Sequence, residues 1–414
     1  MNLLRTSVLN GVAVLIKTIT MFVLNKILAV YLGPTGYAAI GQFQNFIQMV
    51  ITFAGSAINT AVVKYTAEYY EDESKQRAIW KTAGSIVFLF SLIVAFLILI
   101  FQEQLSLYIF QSLEYQTVFI WFAVFLVFFN FNTLFLAILN GKKEILKLVL
   151  ANIAGSLFAL IITSVLAIKL HLYGALVALS IYQSIAFIVT LFLCYRADWF
   201  KFSSLLGKID LEITKKFSSF ILMALVSAIC VPLSQMLIRA YLTQEFSLAY
   251  AGYWEAMIRL SSVYLMLVTT TLGVYYLPRL SELNKIDEIK KEVYLGYKFL
   301  FPLTVVGGII VFVLRDWIIN LLFTPAFAPM QDLFFWQMMG DALKIGSWIL
   351  AYLMLSKAMT KLYVSTEIIF TLSLIALTYV CTQFFGFKGV SIAHLINYGI
   401  YWIVISLFIF KQLK

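Results

Sequence analysis

Apolar residues in this chain neither alternate nor keep to one helical face; they run on without a break. Runs of twenty residues or more lie near 8–32, 37–66, 79–102, 115–139, 145–169, 173–195, 213–242, 248–281, 291–314, 327–356, 361–385 and 388–411. A helix rising about 1.5 Å per residue needs about 20 apolar residues to cross roughly 30 Å of hydrocarbon, so the pattern predicts twelve crossings. A β-barrel would show alternation over about ten residues instead. Composition agrees: 62% of residues are hydrophobic, 12% are charged, and mean hydropathy is +0.94. Soluble domains carry about twice that share of charge. The expected fold class is an all-α polytopic membrane protein.

Charge sets the orientation. Twenty-two of the thirty Lys and Arg residues fall at the termini and in the connections of one side, among them Lys64, Lys142, Lys143, Lys216, Arg279 and Lys414. The other side holds Lys169, Arg315 and Lys388. Basic residues collect on the cytoplasmic side of short loops, so both termini are expected there. The first run carries Lys17 and Lys26 where the apolar centre of a cleaved signal peptide would lie, and reads as a retained span. The connections are too short for a soluble catalytic domain. The acidic stretch "EYYEDESKQR" (Glu68 to Arg77) reads as a solvated turn. Cys194, Cys230 and Cys381 stand singly, and His171 and His394 lack a second ligand at metal spacing, so neither a metal nor a catalytic residue is expected. His394 reads as a packed helix residue.

Two halves are visible. "GYAAIGQFQNFIQ" from Gly36 and "AYAGYWEAMIRLS" from Ala249 each open the second span of a half, which suggests lobes of six helices over 1–203 and 204–414. Parallel repeats of this kind build one class of secondary transporter.

Inside the spans, polar residues form stripes. At about 100° per residue, Glu255, Arg259, Ser262, Met266, Thr269, Thr270 and Gly273 share one face of the eighth span. Gln42, Asn45, Met49, Thr52, Ser56 and Asn59 do the same in the second. Lys17 shares a face of the first span with Asn25, whereas Lys26 points nearly opposite. Ser227, Ser234, Gln235 and Arg239 mark the seventh, with a kink expected at Pro232. Neutral stripes also serve as interhelical glue, at about 0.6 kcal/mol per bond. A basic residue at mid-bilayer costs about 2.5–3.5 kcal/mol and needs more explanation. Glu255 with Arg259 and Asp341 with Lys344 have the spacing of intrahelical pairs. Lys17, Lys26 and Arg239 have no such neighbour. The surplus of cations points to a wet central cavity suited to something negative.

"LAVYLGPTGYAAIGQFQNFIQ" (Leu28 to Gln48), "VVKYTAEYY" (Val62 to Tyr70), "YLPRLSEL" (Tyr276 to Leu283) and "MQDLFFWQMMGDALKIGSWILAYLMLSKA" (Met330 to Ala358) resemble the Wzx-type lipid-linked oligosaccharide flippases. These belong to the multidrug, oligosaccharidyl-lipid and polysaccharide (MOP) exporter superfamily. The resemblance implies a MATE-like fold of twelve helices in two lobes around a central cavity, in the bacterial inner membrane. It implies a substrate of undecaprenyl-diphosphate-linked oligosaccharide, an O-antigen or enterobacterial common antigen unit, moved from the cytoplasmic to the periplasmic leaflet. Lys17, Arg239 and Arg259 are then expected to meet the diphosphate, with Lys26 and Lys64 nearer the mouths and Gln42, Asn45 and Asn59 facing the glycan. Glu255, Asp341, Lys344 and Glu367 are the candidates for coupling to H⁺ or Na⁺, and no other cofactor is expected. A monomer working beside a glycan polymerase and a chain-length regulator is the expected setting. The alternatives are a multidrug or cation antiporter of the same superfamily and a membrane-embedded glycan polymerase.

Overall fold

The computed structural model describes residues 3–283, 285–357 and 359–412, so Ala358 and Lys414 lie outside the described residues. These fold almost wholly as helix: α1 (Leu3–Phe53), α2 (Asn59–Glu68), α3 (Glu73–Ile100), α4 (Gln102–Phe110), α5 (Gln116–Gly141), α6 (Ile145–Tyr195), α7 (Leu211–Glu245) and α8 (Leu248–Tyr264). There follow α9 (Met266–Thr271), α10 (Leu277–Glu282), α11 (Ile286–Val313), α12 (Arg315–Leu322), α13 (Gln331–Ser356), α14 (Thr360–Phe385) and α15 (Gly389–Gln412).

Eight helical stretches among the described residues are long and apolar enough to cross a membrane. Three of them contain a reversal. Gly33 (φ 61°) divides α1, His171 (φ 50°) divides α6, and Gly386 (φ 63°) separates α14 from α15. Positive φ is open to glycine and tolerated by few other residues, and Pro34 suits the first turn of the helix that Gly33 opens. The expected eighth span is a composite of α8, α9, a π-helical turn at Leu272–Tyr276 and α10. The segmentation is consistent with twelve crossings. Outer faces are apolar, as lipid requires: Phe96 is 64% exposed and Leu407 69%. The protein is a multi-pass membrane protein.

Two expectations fail locally. The run 37–66 is not one helix, because α1 stops at Phe53, Gly55 turns at φ 136°, and Ser56–Ile58 form a 3₁₀ turn before α2. A Cβ on Gly55 would stand 2.9 Å from Val87, so this close approach to α3 requires glycine. The polar stripe drawn from Gln42 to Asn59 is therefore interrupted. The eighth-span stripe does not run down one regular helix, since α8 ends at Tyr264 and the π turn at Leu272–Tyr276 changes the helical period. The connections after α3 and α11 carry the short helices α4 and α12.

The chain divides into two compact units, one of residues 1–32 and 39–232, the other of 33–38 and 233–414. In the first, α5 packs against α2, α3, α4 and α6. Val62, Trp80, Leu134, Phe135, Leu139 and Phe217 make its core, and Phe217 ties the start of α7 to that core. The division falls at Pro232, inside α7, which continues through the proline; residue 203 lies in the connection before it. In the second unit α13 is central, packed against α8, α10, α11, α12, α14 and α15. The segment 33–38 belongs to this unit because Tyr37 is fully buried against Phe323 and Phe327, at ring distances of 5.9 and 5.2 Å. Gly252 lies so close to Pro34 that a Cβ would meet the proline carbonyl oxygen at 1.8 Å.

Candidate functional site

Among the described residues, every charged side chain that is buried lies in the second unit: Arg239, Glu255, Glu292 and Asp341. The first three of the expected site residues to come together are Arg239, Glu255 and Arg259. Arg239 near the end of α7 donates from Nη2 to Glu255 Oε2 at 2.8 Å, and Arg259 donates from Nε to Glu255 Oε1 at 2.8 Å. The i,i+4 spacing on α8 supplies the second contact, as expected. The first corrects the reading that Arg239 has no acid partner. Its neighbour sits across the α7–α8 connection, where spacing along one helix cannot reveal it.

One carboxylate thus serves two guanidiniums, and the cluster keeps one surplus positive charge. Aromatic faces take part of the load. The Arg239 guanidinium lies 5.6 Å from the Trp254 ring centre and that of Arg259 lies 5.3 Å from Tyr37. Arg239 is only 2% exposed, so these contacts act in a low dielectric where charge-assisted bonds are strong. Tyr37 and Trp254 are site residues that the sequence reading missed. Trp254 adjoins Glu255 and could have been suspected; nothing local links Tyr37 to Arg259.

Asp341, in the middle of α13, has 0% exposure. The expected Asp341–Lys344 pair does not form. The Lys344 ammonium lies instead over the rings of Trp348 and Tyr398, at 4.8 and 5.5 Å. Asp341 Oδ1 takes a contact of 3.0 Å from His394 Nε2 and a bond of 3.2 Å from Gln337 Nε2, while Tyr264 donates its hydroxyl to Oδ2 at 2.9 Å. His394, expected to be a packed bystander, is the acid's partner from α15. Both carboxylate oxygens are filled from neighbouring helices and from one turn earlier, which leaves Lys344 on the aromatic side. Glu367 is half-buried on α14.

The remaining expected residues belong to the first unit. Lys17 is exposed on α1, Lys26, Gln42 and Asn45 are half-buried there, and Lys64 is exposed on α2 with its ammonium over Tyr65 and Phe220, at 5.2 and 5.1 Å. Asn59 opens α2 half-buried, with a shielded carbonyl oxygen. Gln48, Thr52 and Ser56 from the second-span stripe line a cavity of about 350 Å³ together with Ser227 and Pro232 of α7. The stretch from Glu68 to Arg77 is a turn only over residues 69–72, since Glu68 ends α2 and Glu73 to Arg77 open α3; Asp72 caps α3 by accepting from the Lys75 amide at 3.1 Å. That bond and the Lys75 ammonium hold the Asp72 carboxyl below the usual carboxylate range. Among the described residues no disulfide joins Cys194, Cys230 or Cys381.

Residues 3–284 match the family described as polysaccharide biosynthesis protein. The chain is similar to the proteins named Lipid III flippase of Escherichia coli (strain K12) and of Shigella flexneri. Each is 28% identical over 403 residues, spanning 97% of this chain and 97% of the relative. In fold it is similar to a multidrug resistance MATE family transporter of the MOP superfamily. There the TM-score is 0.77 at 13% identity, over 96% of this chain and 94% of that one. The resemblance seen in the sequence holds at the level of family and architecture: the chain belongs to the polysaccharide biosynthesis protein family and has the fold of MOP-superfamily transporters.

Proposed function

We propose that the protein is a flippase for a lipid-linked oligosaccharide rather than an enzyme, and that the Arg239–Glu255–Arg259 cluster receives the diphosphate of its substrate. The observation that carries this reading is one buried carboxylate shared by two guanidiniums, that of Arg239 buried and that of Arg259 partly exposed. A diphosphate is a compact anion with several acceptor oxygens, and guanidiniums match phosphate in fork geometry. Glu255 holds both arginines in place while the site is empty, with one oxygen for each. An arriving diphosphate offers more negative charge to the same donors and displaces the carboxylate. Glu255 then takes the arginines back on release, which keeps binding from becoming a trap.

The finer reading follows the resemblance seen in the sequence. The cargo is an undecaprenyl-diphosphate-linked repeat unit of O-antigen or enterobacterial common antigen, moved outward across the bacterial inner membrane, with both termini of the chain cytoplasmic. Lys17, Lys26 and Lys64 add positive charge along the first unit, and Gln42, Asn45 and Asn59 offer amides to the glycan. A monomer working beside a glycan polymerase and a chain-length regulator fits this pathway. The test is complementation of a strain that lacks its own flippase. Arg259→Ala should abolish surface glycan while the protein stays in the membrane at normal abundance; full complementation by that variant removes the cluster from substrate binding.

A further inference from the structure

Asp341 has no part in holding a diphosphate, yet its burial is complete and its surroundings are specific. Three donors converge on it: the Tyr264 hydroxyl from α8, the Gln337 amide from the preceding turn of α13, and the His394 imidazole from α15. Ser391 in turn donates to the Gln337 carbonyl oxygen at 3.1 Å and fixes which end of that amide faces the acid. Gly340 makes room for the imidazole. A Cβ at that position would stand 2.4 Å from His394 Cδ2 and 3.1 Å from the Leu395 nitrogen.

The titratable groups facing this pair are Lys344 on α13 itself, Tyr264 on α8 and Tyr398 on α15, with Glu367 of α14 acting on Tyr398. With Asp341 ionised, His394 neutral and Lys344 charged, the group balances. One added proton leaves a net positive charge, which a dry helical interior disfavours and a hydrated one accepts. From this geometry we infer that Asp341 and His394 form a binding site for a single proton, whose loading is linked to hydration of the space between α8, α13 and α15. In the empty state His394 Nε2 donates to Asp341 Oδ1 and Nδ1 is free of a hydrogen; uptake places a proton on the imidazole, and release returns it to water. Sodium does not suit the site. A hard cation needs oxygen acceptors, whereas here the carboxylate oxygens already accept from three donors and an ammonium stands nearby.

The inference is independent of the substrate, so its test uses the purified full-length chain in lipid nanodiscs with no lipid-linked sugar present. The chain has only two histidines, and His171 is exposed at a positive-φ position (φ 50°, ψ −131°) of the kind that Gly, Asn and Asp occupy in mirror-image turns. His171→Asn therefore leaves His394 as the single imidazole signal in isotope-labelled histidine NMR. That signal should titrate as one proton between about pH 4 and 9, the range open to a histidine perturbed by a carboxylate. Asp341→Asn should move its midpoint by about one pH unit or more, and a hundred-millimolar-scale sodium addition should not. An imidazole that stays in one state across the range, a midpoint indifferent to Asp341→Asn, or displacement by sodium each overturns the inference. The titration of His394 with Asp341 intact needs no change to the pair itself, so a variant that failed to fold would not blunt the result.

Discussion

The two units bury polar groups of different kinds. Inside the first, the buried side chains are amides and hydroxyls: Asn130 bonds Ser91 at 3.0 Å, Asn132 bonds Gln183 at 2.6 Å, and Ser184 bonds the Phe125 carbonyl oxygen at 2.8 Å. Inside the second they include Arg239, Glu255, Glu292 and Asp341. Neutral bonds between membrane helices are worth about 0.6 kcal/mol each and explain themselves as glue. Buried charge is expensive in the same setting and rarely improves stability over an apolar packing. The contrast teaches that the second unit keeps its charges for work, and that the amide network of the first is structural.

The largest effect should come from breaking a charge set in half. Glu255→Ala takes the carboxylate from the buried Arg239 as well as from the partly exposed Arg259, and a loss of about 3–5 kcal/mol is expected when a buried charge loses its partner, read as loss of the protein from the membrane or a large fall in melting temperature. Asn130→Ala, the matched change in the first unit, should cost about 1 kcal/mol. Equal losses would erase the distinction between the units. Next in size is transport: Arg259→Ala leaves Arg239 paired with Glu255 and so should preserve the fold while lowering flipping at least about tenfold, the equivalent of one lost charge-assisted contact. Gln183→Ala should leave flipping within about twofold, since one neutral interhelical bond is lost.

Gly252→Ala comes third. Its Cβ would press on the Pro34 backbone, push the 33–38 segment outward and loosen Tyr37 from Arg259, so flipping should fall, with a drop in abundance beside it. The smallest expected effect is that of Asp72→Ala in the exposed turn before α3. It should lower thermal stability slightly at neutral pH. Because the carboxyl is held below its usual range, that contribution is present above the ordinary carboxylate pKa and fades as pH falls through the lowered one. Flipping by this variant should match the wild type.

Much of the fold is legible in the chain because the bilayer dictates it: apolar runs of crossing length appear as such, and Gly33–Pro34 announces its own break. The backbone break at Gly55 was hidden, because the surrounding run stays apolar and the reason for the break is the approach of Val87 on another helix. The site shows the same division. Glu255 and Arg259 are one helical turn apart and could be paired by counting. Arg239 reaches Glu255 across 16 residues, and His394 reaches Asp341 across 53, by helix packing that periodicity does not encode. Asp341 and Lys344 had the spacing of a pair, but spacing permits a contact without excluding better partners from elsewhere.

Binding of inorganic pyrophosphate to the purified protein tests the central claim most directly, with wild type, Glu255→Gln and Arg259→Ala compared by calorimetry at one ionic strength. Displacement of Glu255 by the diphosphate predicts measurable binding in the wild type, binding about tenfold tighter in Glu255→Gln because the competing carboxylate is gone, and none in Arg259→Ala. The same affinity in all three proteins, or weaker binding in Glu255→Gln, would contradict it.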